Sequence, residues 1–251
     1  MKSLKSLYDV KFIDHFGHWY VIDGIKYPSV TAILSNVGSQ GKLNGMMGWA
    51  KKLALNFVSD ELKTQLGKNI VINEEFIDKT IKAGWKKPEY ESGKAADIGT
   101  RLHNAVDAMI TIGKVPDNID KDLQIPFDNF MKYMTTHKFN IILGDTILGS
   151  KKYGYGGRCD AIAMNEEGAY IIIDWKTSKT VSDKVEYKMQ VAAYSEACKE
   201  MFGIKEIKVA YIVRFSKEIL DEFEVVEVRN LDKYFDGFKA AMKIKEVSEI
   251  I

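Results

Sequence analysis

Residues 170–176 read Tyr-Ile-Ile-Ile-Asp-Trp-Lys, a nearly solid apolar strand that ends in a carboxylate and, two residues on, an ammonium. So continuous an apolar run suits a strand covered on both faces, inside a layered sheet. Side chains at i and i+2 on a strand share a face, so Asp174 and Lys176 stand side by side where the strand leaves the core. Burying either charge without compensation is expensive, so something beyond packing keeps them there.

A second carboxylate is placed to meet them. The segment Gly157-Arg158-Cys159-Asp160-Ala161-Ile162-Ala163-Met164 has a strand pattern, and Asn165-Glu166-Glu167-Gly168 after it has turn composition. Pairing about that turn sets Asp160 opposite Asp174 to within one residue, with Cβ atoms roughly 4.5 to 5.5 Å apart. Like charges in that position destabilise a sheet and call for something positive between them, either a divalent cation or Lys176 itself. Hard oxygen ligands favour magnesium or manganese. An ordinary salt bridge at a sheet edge also accounts for Asp160, Asp174 and Lys176 when they are taken alone.

Composition limits the alternatives. With 251 residues, 46% hydrophobic and 28% charged, the chain is long enough for one large domain or a core with an added subdomain. The formal net charge of +1 announces no nucleic-acid partner, so any basic surface is local. Apolar runs are too short for a membrane span and the first residues lack an apolar signal core, which leads to the expectation of a cytoplasmic protein without a membrane partner. Two cysteines, Cys159 and Cys198, are too few for a four-cysteine zinc site or an iron–sulfur cluster. His15 and His18 fall in a hairpin-like segment with no further soft ligand nearby.

Along the chain, residues 8 to 27 alternate like a small hairpin, with turns at His15-Phe16-Gly17 and Asp23-Gly24, and a helix starts near Pro28 or Ser29. The spacing predicts helix from about 44 to 82 and a loop over 84–94 holding Gly84, Trp85, Lys86, Lys87, Pro88 and Gly93. Between residues 42 and 94 ten Lys face seven acids, which fits a solvated helical surface or a phosphate track. A helix striped by Ile98, Leu102, Val106 and Met109 then stops at Gly113 and Pro116. Helix 119–138, strand 140–148, the hairpin, and a helix opened by Asp183-x-x-Glu186 and closed by Gly203 follow. Strands 206–215 and 223–228 and a helix over 231–247 complete an α/β fold, a mixed central sheet flanked by helices.

Three further features gather around the carboxylates. His103 lies one position off the apolar stripe of its helix, and Gly99 one turn earlier leaves its approach open. Gln190 and Tyr194, at i and i+4, share a helix face and suit either local hydrogen bonds or the positioning of a phosphate or water. The glycines of Tyr153-Gly154-Tyr155-Gly156-Gly157 fit a bend, or the close approach of a nucleic-acid backbone with the tyrosines free to stack on bases.

In this order, Gly99-x-x-x-His103, Asp160, Asp174-Trp175-Lys176 and Gln190-x-x-x-Tyr194 resemble the PD-(D/E)XK nuclease superfamily, and more narrowly its RecB-type exonuclease branch. Tyr27-Pro28-Ser29-Val30-Thr31 before a helix is similar to the mitochondrial genome-maintenance exonucleases and their phage and bacterial relatives. The resemblance implies a restriction-endonuclease-like core over 95–251, with a hairpin and helical arch or lid over 1–94. It makes His103, Asp160, Asp174 and the Trp175 carbonyl ligands of Mg2+ or Mn2+, with Asp160, Asp174 and Lys176 catalytic. Gln190, Tyr194, Thr177, Ser178, Lys179, Ser29 and Thr31 support the site or contact DNA. Relatives with an iron–sulfur cluster need four cysteines, so that cluster is not expected. Cys159 also stands where the first motif usually has proline.

The implied activity is a metal-dependent DNA exonuclease acting on single strands or free ends. Its setting is recombination, repair or replication, in a bacterium or a phage-infected host cytoplasm, with proteins of those processes as candidate partners. A PD-(D/E)XK endonuclease and a non-catalytic DNA-binding recombination accessory protein are the alternatives. No Gly-x-x-x-x-Gly-Lys-Ser/Thr phosphate loop is present.

Overall fold

The computed structural model describes residues 4–14, 18–35, 37, 39–68, 72–113, 115, 118–137, 139–182 and 184–248. They form two compact units, one of residues 1–37 and 101–251, the other of residues 38–100.

The first unit is built on two sheets. Strands β1 (Val10–Asp14), β2 (His18–Ile22) and β3 (Ile25–Pro28) pair antiparallel in that order. Asp23 and Gly24 turn β2 into β3 with φ of 51° and 82°, the positive pair that a tight hairpin turn requires. The turn expected at His15-Phe16-Gly17 lies outside the described residues. Ser29 caps the short helix α1 (Val30–Leu34), its hydroxyl accepting the Ala32 N–H at 3.0 Å.

The main sheet has the order β4-β5-β6-β7-β8, from β4 (Asn140–Ser150), β5 (Tyr155–Met164), β6 (Tyr170–Lys176), β7 (Ala210–Phe215) and β8 (Phe223–Val228). Neighbours are antiparallel except β6 and β7. A parallel pair needs a crossover, here helix α5 (Val185–Phe202). Gly203 closes α5 in the left-handed conformation, φ 65°, its N–H bonded to the Lys199 carbonyl. Asp183 of the expected capping box is outside the described residues, and Lys184 stands at the cap. Between β5 and β6 the Asn165 Oδ1 accepts the N–H groups of Glu167 and Ala169, and Gly168 takes φ 79°, so the turn composition has a direct structural cause.

Ile171, Ile172 and Ile173 are buried, as a two-faced strand demands. Val191, Ala192, Ala193 and Ala197 of α5 pack on one side of the sheet, together with helix α6 (Leu231–Ser248). Phe130 and Tyr133 of helix α4 (Gln124–Thr136) meet Trp175 and Phe215 edge-on. The expected helix start near 119 falls instead in a turn, closed by the Leu123 N–H on the Asp120 carbonyl, while Asp120 and Asp122 take Arg101. The first 37 residues belong with this sheet rather than with the helices that follow them. Val30, Ile33 and Leu34 join its core, and a Cβ on Gly149 of β4 would strike Ile22 at 2.7 Å.

The second unit holds helix α2 (Ser39–Lys63) and the first part of helix α3 (Glu74–Ile112). The helix expected over 44–82 is therefore broken: Gly67 turns the chain at φ 75°, and Asn73 Oδ1 caps α3 by accepting the Phe76 N–H, with Glu74 and Glu75 in the first turn. The loop expected over 84–94 is also overturned, because α3 runs straight through it with Pro88 inside. Proline removes one intrahelical bond, a cost of about 3 kcal/mol. Against it, Gly84 is a packing glycine, whose Cβ would lie 2.8 Å from Val58, and Lys87 pairs with Glu91 one turn on at 2.8 Å. Gly113 then ends α3 at φ 71°; Pro116 is outside the described residues.

Candidate active site

The β5–β6 hairpin sets the site. Its pairs run from Met164↔Tyr170 to Ala161↔Ile173, so Asp160 and Asp174 occupy the next position along, where the two strands end their ladder. Asp160 Oδ2 accepts the Trp175 backbone N–H at 2.7 Å, a bond across that gap. Lys176 Nζ lies 2.6 Å from Asp174 Oδ2 and above the Tyr187 ring of α5, 4.9 Å from its centroid. Trp175, between them, points to the other face and its aromatic cluster. Alternation along one strand thus anchors the backbone on one side and presents the charges on the other.

His103 comes from α3. Its Nδ1 stands 3.2 Å from Asp160 Oδ1, and its side chain is 37% exposed against 14% for Asp160 and 2% for Asp174. The electrostatics follow from that burial gradient. Burial pulls the His103 imidazole down, but the charge and hydrogen bond of Asp160 more than offset it, and the net shift is upward. Burial pushes Asp160 up, and His103, Lys176 and the Trp175 N–H bring it below the usual carboxylate range. Burial raises Asp174 too; Lys176 pulls it back, Asp160 pushes it up again, and it comes to about 6. Lys176 loses charge stability to burial but gains more from Asp174 and Asp160, so it stays protonated. The four groups form one electrostatically linked network in a largely desolvated corner.

Gln190 donates to the Tyr194 hydroxyl at 2.9 Å, both buried on α5. Burial, then the charge of Asp174, drives the Tyr194 phenol well above its ordinary value. A Cβ on Gly157 would fall 2.5 Å from the Tyr194 ring, and one on Gly156 2.3 Å from Tyr20. These glycines therefore make room for tyrosines of this chain. Base stacking by the tyrosines of that segment is overturned at Tyr155, which is fully buried with its hydroxyl on the Ala193 carbonyl. Tyr153 packs its ring against Phe235.

Thr177, Ser178 and Lys179 follow β6 directly, with Lys179 exposed and the Ser178 hydroxyl on the Thr180 carbonyl. Ser29 is buried as the cap of α1, bridged to Gly156, and its hydroxyl is 3.1 Å from that of the exposed Thr31. Sequence reasoning missed Tyr187 and Lys217. Lys217 follows β7, and burial, then the nearby Lys179, depresses its pKa against the pull of Glu218. Strand register supplies the missing signal: Lys176 pairs with Arg214, so the residues after the two parallel strands emerge together.

Among the described residues no three His, Cys, Asp or Glu side chains already form a metal cluster. As they stand, Asp160 faces His103 and Asp174 faces Lys176. The donors nonetheless suit a hard cation. His103 Nδ1 and Asp160 Oδ1 are 3.2 Å apart, close to the spacing of about 3 Å between adjacent ligands of an octahedral ion with bonds of about 2.0–2.1 Å. Asp174 Oδ2 is buried, and the Lys176 ammonium 2.6 Å away already supplies it a positive charge.

The model of the PD-(D/E)XK nuclease superfamily matches residues 74–247, well over half of the sequence. The chain belongs to that superfamily. The match takes in His103, Asp160, Asp174, Lys176, Gln190 and Tyr194. No curated protein sequence matches this superfamily member. Among solved structures it is similar to SSO0001, at 14% identity over 77% of this chain and 85% of the other, with a TM-score of 0.32. It is also similar to an alkaline exonuclease (LHK-Exo) from Laribacter hongkongensis, at 10% identity over 63% of this chain and 92% of the other, again with a TM-score of 0.32. Both cysteines are buried free thiols, and among the described residues no helix is long and apolar enough to cross a membrane.

Proposed function

We propose that this chain is a divalent-metal-dependent deoxyribonuclease, an exonuclease that works from free DNA ends, prefers single strands, and serves recombination, repair or replication. One observation carries the reading: a half-buried ammonium, Lys176, held 2.6 Å from the buried Asp174 in a corner shared with Asp160 and His103. A salt bridge made for stability gains little from such burial.

His103, Asp160, Asp174 and the Trp175 carbonyl would hold magnesium or manganese. When bound, the ion polarises the scissile phosphate and acidifies a water. Lys176 orients the attacking water and meets the charge developing on the phosphoryl oxygens, preorganised help of about 3 to 4 kcal/mol per group. Its protonated state is the one this role needs, and the two carboxylates favour it. Asp160, tied to the Trp175 N–H, keeps the two strand ends in register. Gln190 and Tyr194 support the site, while Thr177, Ser178 and Lys179 take substrate phosphates. The helical N-terminal region acts as an arch or lid that favours free ends.

End-labelled linear and circular DNA, single and double stranded, tests this with and without magnesium. Loss of label from linear single strands only, and only with the metal, is expected. Cutting of circles overturns the exonuclease reading, and binding without turnover overturns the enzyme.

A further inference from the structure

Arg158 stands two residues before Asp160 on β5 and has no part in the chemistry above. Its Nη1 donates to Asp145 Oδ2 at 2.6 Å, and its guanidinium lies over the Phe12 ring of β1, 5.5 Å from the centroid. The pairs Gly144↔Ala161 and Thr146↔Cys159 enclose Asp145 and Asp160, so Asp145 sits opposite the first carboxylate of the site. The charge of Asp160 reaches Asp145, as do those of Arg158 and Asp107. Asp145 also has φ 37°, a left-handed conformation uncommon for a residue with a side chain and found here inside a strand.

A planar cation, stacked on one face and held at one edge by a carboxylate, is fixed in orientation while 44% of its side chain stays exposed. Of its five donors one reaches Asp145, and the fork geometry of the rest suits a phosphate. Lys176 lies on the strand at the other side of β5. Arg158 on β5 and Lys176 on β6 each lie two residues beyond a carboxylate, at the same end of the hairpin, which gives two cations for a substrate whose phosphates recur along a chain.

We propose that Arg158, oriented by Asp145 and Phe12, is a substrate-binding residue that holds a DNA phosphate neighbouring the one that is cut. This rests on the nuclease reading above. A mere strand-to-strand ion pair would leave substrate affinity untouched when removed.

The test uses the full chain, a short end-labelled single-stranded oligonucleotide with magnesium, and single neutral methylphosphonates placed in turn on each side of the first cut. Arg158→Gln is expected to raise KM about tenfold with kcat nearly unchanged, and Arg158→Lys to recover part of the loss. One methylphosphonate should raise the wild-type KM and have no further effect in Arg158→Gln. Phe12→Leu, which keeps the charge and removes its platform, should raise KM by a smaller factor and decides the matter if Arg158→Gln does not fold. In metal-free binding by anisotropy, losing one phosphate contact should shallow the slope of log K against log salt by about 0.7. Unchanged KM and unchanged slope in folded variants overturn the assignment. A wild-type protein inert on all DNA overturns the nuclease reading instead, and the binding slope then still decides on Arg158.

Discussion

Asp160 accepts the backbone N–H of Trp175 at 2.7 Å, across a hairpin whose regular pairing has already ended. That bond ties the first carboxylate to the strand carrying the second and leaves Asp174 free to face Lys176. It also explains how two carboxylates coexist at one level of a sheet: each has its own partner, the His103 imidazole for Asp160 and the Lys176 ammonium for Asp174.

Removing the deeper carboxylate should separate folding from chemistry. Asp174→Ala is expected to abolish magnesium-dependent DNA degradation, a loss beyond about 10³-fold, because it deletes a ligand and the partner of Lys176 together. The far-ultraviolet circular dichroism should match the wild type, since β6 remains packed on both faces by Ile171, Ile172 and Ile173. Residual wild-type turnover in this variant contradicts the site assignment.

Lys176→Met keeps the aliphatic stem and removes the charge. The expected result is a fall in kcat of about 10²–10³-fold with KM little changed, because the ammonium acts on charge that develops in the transition state. A change confined to KM would make Lys176 a ground-state phosphate contact.

The hairpin, the two carboxylates and the lysine were legible because each rests on a short-range rule: alternation along a strand, turn composition, and the cost of buried charge. His103, Gln190 and Tyr194 were legible through their order in the chain, a pattern that spacing alone leaves ambiguous. The fate of residues 84–94 was not legible. Gly and Pro together normally break a helix, and only the contact of Gly84 with Val58 shows why this helix continues. The glycines before Asp160 misled in the same way. Their neighbours Tyr20 and Tyr194 are distant in sequence, and no local rule points to them.

Acidity should affect the metal-free protein with a definite sign. Burial, then Asp160, holds the Asp174 carboxyl at about 6, above its unfolded value of about 4. The native state keeps a proton the unfolded chain has lost, so this group's contribution to stability declines as pH rises through that window. Asp160, shifted downward, works oppositely: its contribution is present above the unfolded value and is lost as pH falls further. In EDTA, the Tm of Asp174→Asn minus that of wild type should therefore grow more positive from pH 4 to pH 7. A difference that stays flat across the range refutes the upward shift.

Gly157→Ala tests whether the Tyr194 ring is fixed. The new methyl would stand 2.5 Å from that ring, which is buried, anchored by Gln190 and packed against the core. Such overpacking costs about 1–3 kcal/mol, or several degrees of Tm in a chain of this size. Gly156→Ala serves as the comparison, since its methyl meets Tyr20 at 2.3 Å and leaves Tyr194 alone. Both variants should melt earlier. At a temperature where both are folded, only Gly157→Ala should also lose turnover, because moving Tyr194 breaks the Gln190 bond and loosens the support of the site. Equal turnover in the two variants would reduce Gln190 and Tyr194 to core packing.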